Sequence, residues 1–157
     1  MPEINNTFAA LLSSYSTIFA KSSHTHPTVA ALRASVPKKV TGVYVIEEKT
    51  NNRILYIGSA GKVHKGMTTG RSSINNRMFG PATSTPYRFD PLTNDFFYGP
   101  TTSGAPPAGY LNRVSVANII VHCIVVKCPK VPSVLEHLLL QGHINQFGDL
   151  PDANQQI

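Results

Sequence analysis

The sequence predicts an α+β fold: a small, about three-stranded, mostly antiparallel sheet flanked by helices. Three observations predict it. Residues 41–61, "TGVYVIEEKTNNRILYIGSAG", are two short apolar runs around a polar, asparagine-bearing middle, the pattern of a β-hairpin. Residues 113–128, "RVSVANIIVHCIVVKC", are β-branched and almost continuously apolar, as suits a strand buried on both faces in the middle of a sheet. Around these strands lie segments with apolar residues at helical spacing, in the order helix, helix, hairpin, short helix, strand, helix.

In chain order, "NNTFAALLSSYSTIFAK" places Phe8, Leu11, Leu12, Tyr15, Ile18 and Phe19 at helical spacing behind Asn and Thr cap candidates. After a loop at "SSHTHP", Pro27 can open a shorter helix through "TVAALRA", which Pro37 should end. Residues 1–40 therefore read as an N-terminal helical addition. Hairpin strands at 42–47 and 53–58 leave a five-residue loop, pair Glu47 with Arg53 and set Tyr44 directly opposite Tyr56. Both rings then share one face, and a slip of one residue would separate them. The glycine- and lysine-rich "GKVHKGMTTGR" leads into "SSINNRMF", one or two helical turns with Ser72 or Ser73 as cap. Residues 80–110 are proline-rich and hold Tyr87, Phe89, Phe96, Phe97, Tyr98 and Tyr110 without a clean period, which reads as a long functional or draped loop. Last, Pro132 and Ser133 introduce "SVLEHLLLQGHINQF", a helix with Leu135, Leu138 and Leu139 inward.

Composition bounds the function. A chain of 157 residues suits one domain. Its longest apolar run, "VANIIVHCIVV", is too short to span a bilayer, and no charged n-region with an h-region opens it, so a soluble, unprocessed protein with no membrane partner is expected. Cys123 and Cys128 are too few for a secreted disulfide scaffold, which favours a cytoplasmic setting. Net charge is +6, so a polyanionic partner is permitted through phosphate contacts. Acids are scarce, with Glu3, Glu47, Glu48, Asp90, Asp95, Glu136, Asp149 and Asp152 the full set. They form no sequence cluster of the kind a two-metal site needs.

Taken alone, Tyr44 and Tyr56 are an ordinary cross-strand aromatic pair. Their spelling carries more. "GVY" at 42–44 followed by "YIGSA" at 56–60 resembles the signature of the GIY-YIG nuclease family. That family expects an arginine on the helix after the hairpin, a glutamate on a later helix and an asparagine near the end of the domain; Arg77 in "SSINNRMF", Glu136 in "VLEHLLL" and Asn154 in "PDANQQI" match in order. The resemblance spans about 41–154 and is nearest to the small stand-alone type II restriction endonucleases, whose target reading comes from loops on the nuclease core. Two departures stand out. Arg77 follows Tyr56 by 21 positions, about twice the spacing in compact members, so Arg71 remains an alternative clamp; and the histidine often found beyond the arginine is absent, with His64 a substitute.

The resemblance implies a DNA endonuclease acting on double-stranded DNA, using one Mg²⁺ per site and cutting as a homodimer. Tyr56 would be the general base with Tyr44 beside it. Its reference pKa near 10 would have to be lowered by cations such as Lys62, His64, Lys65 and Arg71. Arg77 would clamp the scissile phosphate through paired guanidinium donors, Glu136 would hold the metal, and Asn154, Lys62 and Lys65 would meet DNA or phosphate. Plainer roles are open beside these. Ser133 and Glu136 have the spacing of a capping box, Arg77 can be a solvated surface residue, and Asn154 a polar end residue. His122, Cys123 and Cys128 do not make a zinc set, since His122 and Cys123 point to opposite faces of a strand.

Overall fold

The computed structural model describes residues 20–61, 63–64, 67–68, 73–80, 86–101, 110–126 and 131–154. Along them run β1 (Lys21–His24), α1 (Val29–Ser35), β2 (Gly42–Glu48), β3 (Arg53–Ala60), the two-residue partners β4 (Val63–His64) and β5 (Met67–Thr68), and α2 (Ile74–Phe79). Then come β6 (Tyr87–Asp90), β7 (Asp95–Thr101), β8 (Tyr110–Ser115), a 3-10 turn at Val116–Asn118, β9 (Ile119–Val125) and α3 (Pro132–Phe147). The helix expected over 5–21 lies outside the described residues except for its end, and there Lys21 begins a strand.

The α+β class holds, but the sheet is larger than expected. Four antiparallel strands stand in the order β1-β9-β2-β3. "SSH", expected in a loop, adds the fourth strand by pairing Ser22 with Cys123 and Ser23 with His122. Backbone groups of an edge strand need only one partner, so a polar sequence suffices there. The central strands β2 and β9 lie between two neighbours and are largely buried, which suits the valines and isoleucines that make up much of both. On one face α3 sets Leu135, Leu139 and Leu140 against Val43, Val45, Ile54, Ile57 and Ile124. On the other, α1, α2 and a second sheet pack against Tyr44, Ile46, Leu55, Val121 and Cys123.

That second sheet replaces the expected long loop at 80–110. Its order is β6-β7-β8, all antiparallel. Tyr87 and Phe89 alternate inward on β6, Phe96 and Tyr98 on β7, and the four rings pack at centroid spacings of 4.9–6.0 Å, from stacked for Phe96–Tyr98 to edge-on for Tyr87–Phe89. The turn between them is held by Asp90, whose carboxylate accepts from Leu92 N–H and Thr93 Oγ1. The apolar run at 113–128 is likewise not one strand. It breaks at Val116–Asn118, where the chain leaves the second sheet and enters the first.

Local chemistry fixes the helices. Thr28 Oγ1 accepts from Ala31 N–H at the start of α1, and Asn94 Oδ1, from the β6–β7 turn, takes the Val29 N–H. Asn75, buried on α2, donates to the carbonyls of Arg33 and Val36 at the other end of α1. Ser73 is the cap of α2. Gly148 ends α3 in the left-handed region at φ 81°. No helix among the described residues is long and apolar enough to cross a membrane.

Candidate active site

The hairpin register differs from the expected one, yet it keeps both tyrosines on one face. Glu48 pairs with Arg53 across a four-residue turn, and a bulge at Leu55 shifts the ladder again, so Tyr44 lies opposite Gly58 and Ile46 opposite Tyr56. Two one-residue displacements sum to two, and the side-chain period is two. The rings sit with centroids 5.9 Å apart. Gly58 permits this: a Cβ there would lie 2.6 Å from Tyr56 Cε1 and 2.8 Å from the Tyr44 hydroxyl. The glycine of "YIG" is therefore required by the two rings that close over it.

The two tyrosines are not equivalent. Tyr44 is fully buried, and its hydroxyl is 2.9 Å from that of Tyr87, a buried partner on β6 that sequence reading places in a loop. Tyr56 is partly exposed and stacks on Tyr87 at 4.8 Å. Burial raises the pKa of all three. For Tyr56 the Glu136 carboxylate adds to that rise, and the Arg77 guanidinium opposes it. Cations were expected to lower Tyr56; among the described residues the Arg77 guanidinium does act in that direction, as does a hydrogen bond to Tyr44, but the net shift is upward.

Arg77 projects from the last turn of α2, exposed, and acts electrostatically on Tyr44, Tyr56 and Tyr87 alike. Among the described residues no ion pair engages it. Glu136 is not a helix cap. The cap position of α3 is Val131, and Glu136 instead accepts a 2.5 Å hydrogen bond from Ser59 Oγ on β3. Ser59 faces α3 whereas Tyr56 faces the other way, so Glu136 and Tyr56 meet around the margin of an edge strand. Asn154 holds that margin: Ile57 N–H donates to its Oδ1 and its Nδ2 donates to Ile57 O, both at 2.9 Å, while Ala153 N–H donates to Leu55 O. The Asn154 amide thus copies a strand partner beside Tyr56.

Of the expected site residues, Tyr44, Tyr56, Arg77, Glu136 and Asn154 come together. His64 is placed only as backbone, paired with Met67 in the β4–β5 ladder; Lys62, Lys65 and Arg71 lie outside the described residues. Ser59 and Tyr87 were missed. Ser59 stood in the motif "YIGSA", and Tyr87 could have been found from the alternation of "YRF" before a "DPLTND" turn. His143, seven positions beyond Glu136, is held at the far end of α3 by the Asp149 carbonyl at 2.6 Å. A groove of about 450 Å³ borders Tyr87, lined also by Arg33, Phe79 and Arg88; Tyr44, Tyr56, Arg77 and Glu136 do not line it.

A metal would find one carboxylate here. Among the described residues no three of His, Cys, Asp or Glu gather into a metal-holding group. Glu136 uses one oxygen on Ser59 and retains the other, a donor set that fits a Mg²⁺ completed by water and substrate oxygens. Compared with protein-family models, curated proteins and solved structures, the chain matches none.

Proposed function

We propose that the protein is a GIY-YIG-like, divalent-metal-dependent endonuclease that hydrolyses DNA phosphodiester bonds, a sequence-specific enzyme of the type II restriction kind acting as a dimer. One observation carries the reading: Glu136 from α3 is hydrogen-bonded to Ser59, three residues along β3 from the solvent-reaching Tyr56, and its carboxylate and the Arg77 guanidinium from α2, remote in sequence, bear on that same phenol. Tyr56 is the base that takes the proton of the attacking water. Tyr44 is a positioning residue, because its buried hydroxyl is committed to Tyr87. Arg77, with no ion pair among the described residues, clamps the phosphate through its paired guanidinium donors. Glu136 holds Mg²⁺, oriented by Ser59. When bound, that cation would supply positive charge for the phosphorus oxygens and the departing 3′ oxygen. The Arg33 and Arg88 groove and the +6 net charge offer a surface for the DNA backbone.

A second reading has its own support. The raised pKa of Tyr56 and the Tyr44–Tyr87 bond also suit a ring cluster in a nucleic-acid-binding module that does not cut. Incubation with supercoiled plasmid, Mg²⁺ and with or without chelator separates them. Discrete, chelator-sensitive fragments are expected; a smear points to a repair, mobile-element or toxin nuclease of low specificity, and binding without cutting to the silent module. Tyr56→Phe, Arg77→Ala and Glu136→Gln should each lower cleavage by about 10²-fold or more while retaining the fold. Wild-type cleavage by Glu136→Gln would remove the metal assignment.

A further inference from the structure

A second set of reactive groups lies at the opposite side of the same sheet. Ser23 on β1, His122 on β9 and Glu47 on β2 stand across three neighbouring strands. Ser23 Oγ is 2.7 Å from His122 Nδ1, and His122 Nε2 is 2.8 Å from Glu47 Oε1. We propose that Ser23, His122 and Glu47 form an acyl-transfer site, with Ser23 as nucleophile, that cleaves small unhindered carboxylic esters independently of the tyrosine site.

The roles follow from the order of the bonds. Glu47 is 1% exposed, and as a carboxylate it can only accept, so the His122 Nε2 carries the proton and Nδ1 presents its lone pair to the serine hydroxyl. A buried acid that fixes the tautomer of a histidine, which in turn accepts from a serine, is the arrangement that activates a hydroxyl nucleophile. Access matches the task. α3 packs over β2 and β3, so Ser23 is exposed and the His122 side chain 19% accessible, while the acid is enclosed.

Strand geometry adds an oxyanion donor. Val125 N–H donates to Ala20 O, so positions 20, 22 and 24 turn their backbone groups toward β9, and Ser23 turns its own outward. Ser23 and His122 are accordingly a non-hydrogen-bonded pair, the kind whose side chains approach most closely. The outward Ser23 N–H sits on the nucleophile's own residue, where it can meet a developing oxyanion. In the first step Ser23 Oγ bonds to the acyl carbon and its proton passes to His122 Nδ1. That proton then leaves with the alcohol as the ester C–O bond breaks. Water, deprotonated by His122, releases the acid and restores the serine. Among the described residues the helix on this face packs over β2 and β3, and Ser23 is exposed, so an ester with an unhindered carbonyl can approach it.

A fluorophosphonate tests this directly, since Ser23 Oγ would displace fluoride and keep the phosphonyl group as a mass adduct. The folded protein, with chelator present, should gain one adduct mapping to Ser23, faster than protein unfolded in urea. Ser23→Ala, at an exposed position, should abolish it, and His122→Asn should slow it by about 10²-fold. Glu136→Gln should label at the wild-type rate. No adduct on Ser23, or equal labelling of the folded and urea-unfolded chain, overturns the proposal and leaves the three residues as a structural hydrogen-bond chain.

Discussion

Gly58 and Tyr87 show how single residues set the chemistry of the candidate site. Gly58→Ala forces a Cβ into two aromatic rings at 2.6–2.8 Å. We expect it to cost about 1–3 kcal/mol by denaturant unfolding, as overpacking does, and to displace Tyr56. Tyr87→Phe removes the hydroxyl that faces Tyr44 and takes a hydrogen-bond partner from a buried phenol, with an expected loss of about 1–3 kcal/mol. The double change, with Tyr44→Phe as well, should recover part of that loss, because two apolar edges then meet. For Tyr56 the expected signature is kinetic. Its pKa is raised in the free protein, so log cleavage rate at saturating Mg²⁺ should climb with pH above neutrality. A rate flat with pH from 7 upward would exclude the phenol as base.

Elements differ in how much of themselves the sequence displays. The hairpin, α1 and α3 were legible because each carries its own local signal. Pro27 and Pro37 flank α1, Pro132 and Ser133 open α3, and two apolar runs flank a polar, asparagine-bearing turn. The register was not legible, since a bulge at Leu55 depends on contacts across the ladder rather than on turn residues. Nor was β1, whose polar sequence is a strand only because β9 offers an edge. The strands β6 to β8 were hidden by length: four inward residues spread over two short strands do not make a period visible among prolines and glycines. Asn154 belongs to this scale, since it substitutes for a neighbouring strand. Asn154→Ala should destabilise by about 1–2 kcal/mol and raise hydrogen exchange at the Ile57 amide, while Asn154→Asp, which keeps the acceptor, should protect that amide better.

At the scale of the molecule, one apolar cluster joins the first sheet to the second through Tyr44, Tyr87, Phe89, Phe96 and Tyr98. Phe96, with no exposed surface, is at its centre, and Phe96→Ala should cost about 3–5 kcal/mol and loosen both sheets together. The same burial makes the protein sensitive to alkali. Tyr44, Tyr56 and Tyr87 hold pKa values above that of an unfolded tyrosine, and burial pushes the Cys123 thiol up to about 12. Each raised value means that the folded state prefers the protonated form. That stability is complete below the unfolded pKa, and is lost as pH rises past about 9 for the thiol and about 10 for the phenols. Alkaline titration should therefore show phenolate absorbance appearing with loss of the fold, rather than before it.

By itself the sequence determined the α+β class, the approximate limits of α1 and α3 and the identity of the hairpin that carries the tyrosines, because caps, prolines and apolar period act over a few residues. It also named Arg77 and Glu136, by their order after that hairpin. Only the tertiary structure decided which tyrosine reaches solvent, that Glu136 binds Ser59 rather than capping its helix, and that Ser23, His122 and Glu47 stand in line. Those outcomes depend on strand order and register, which are set by long-range pairing and burial, and no local stretch of residues encodes them.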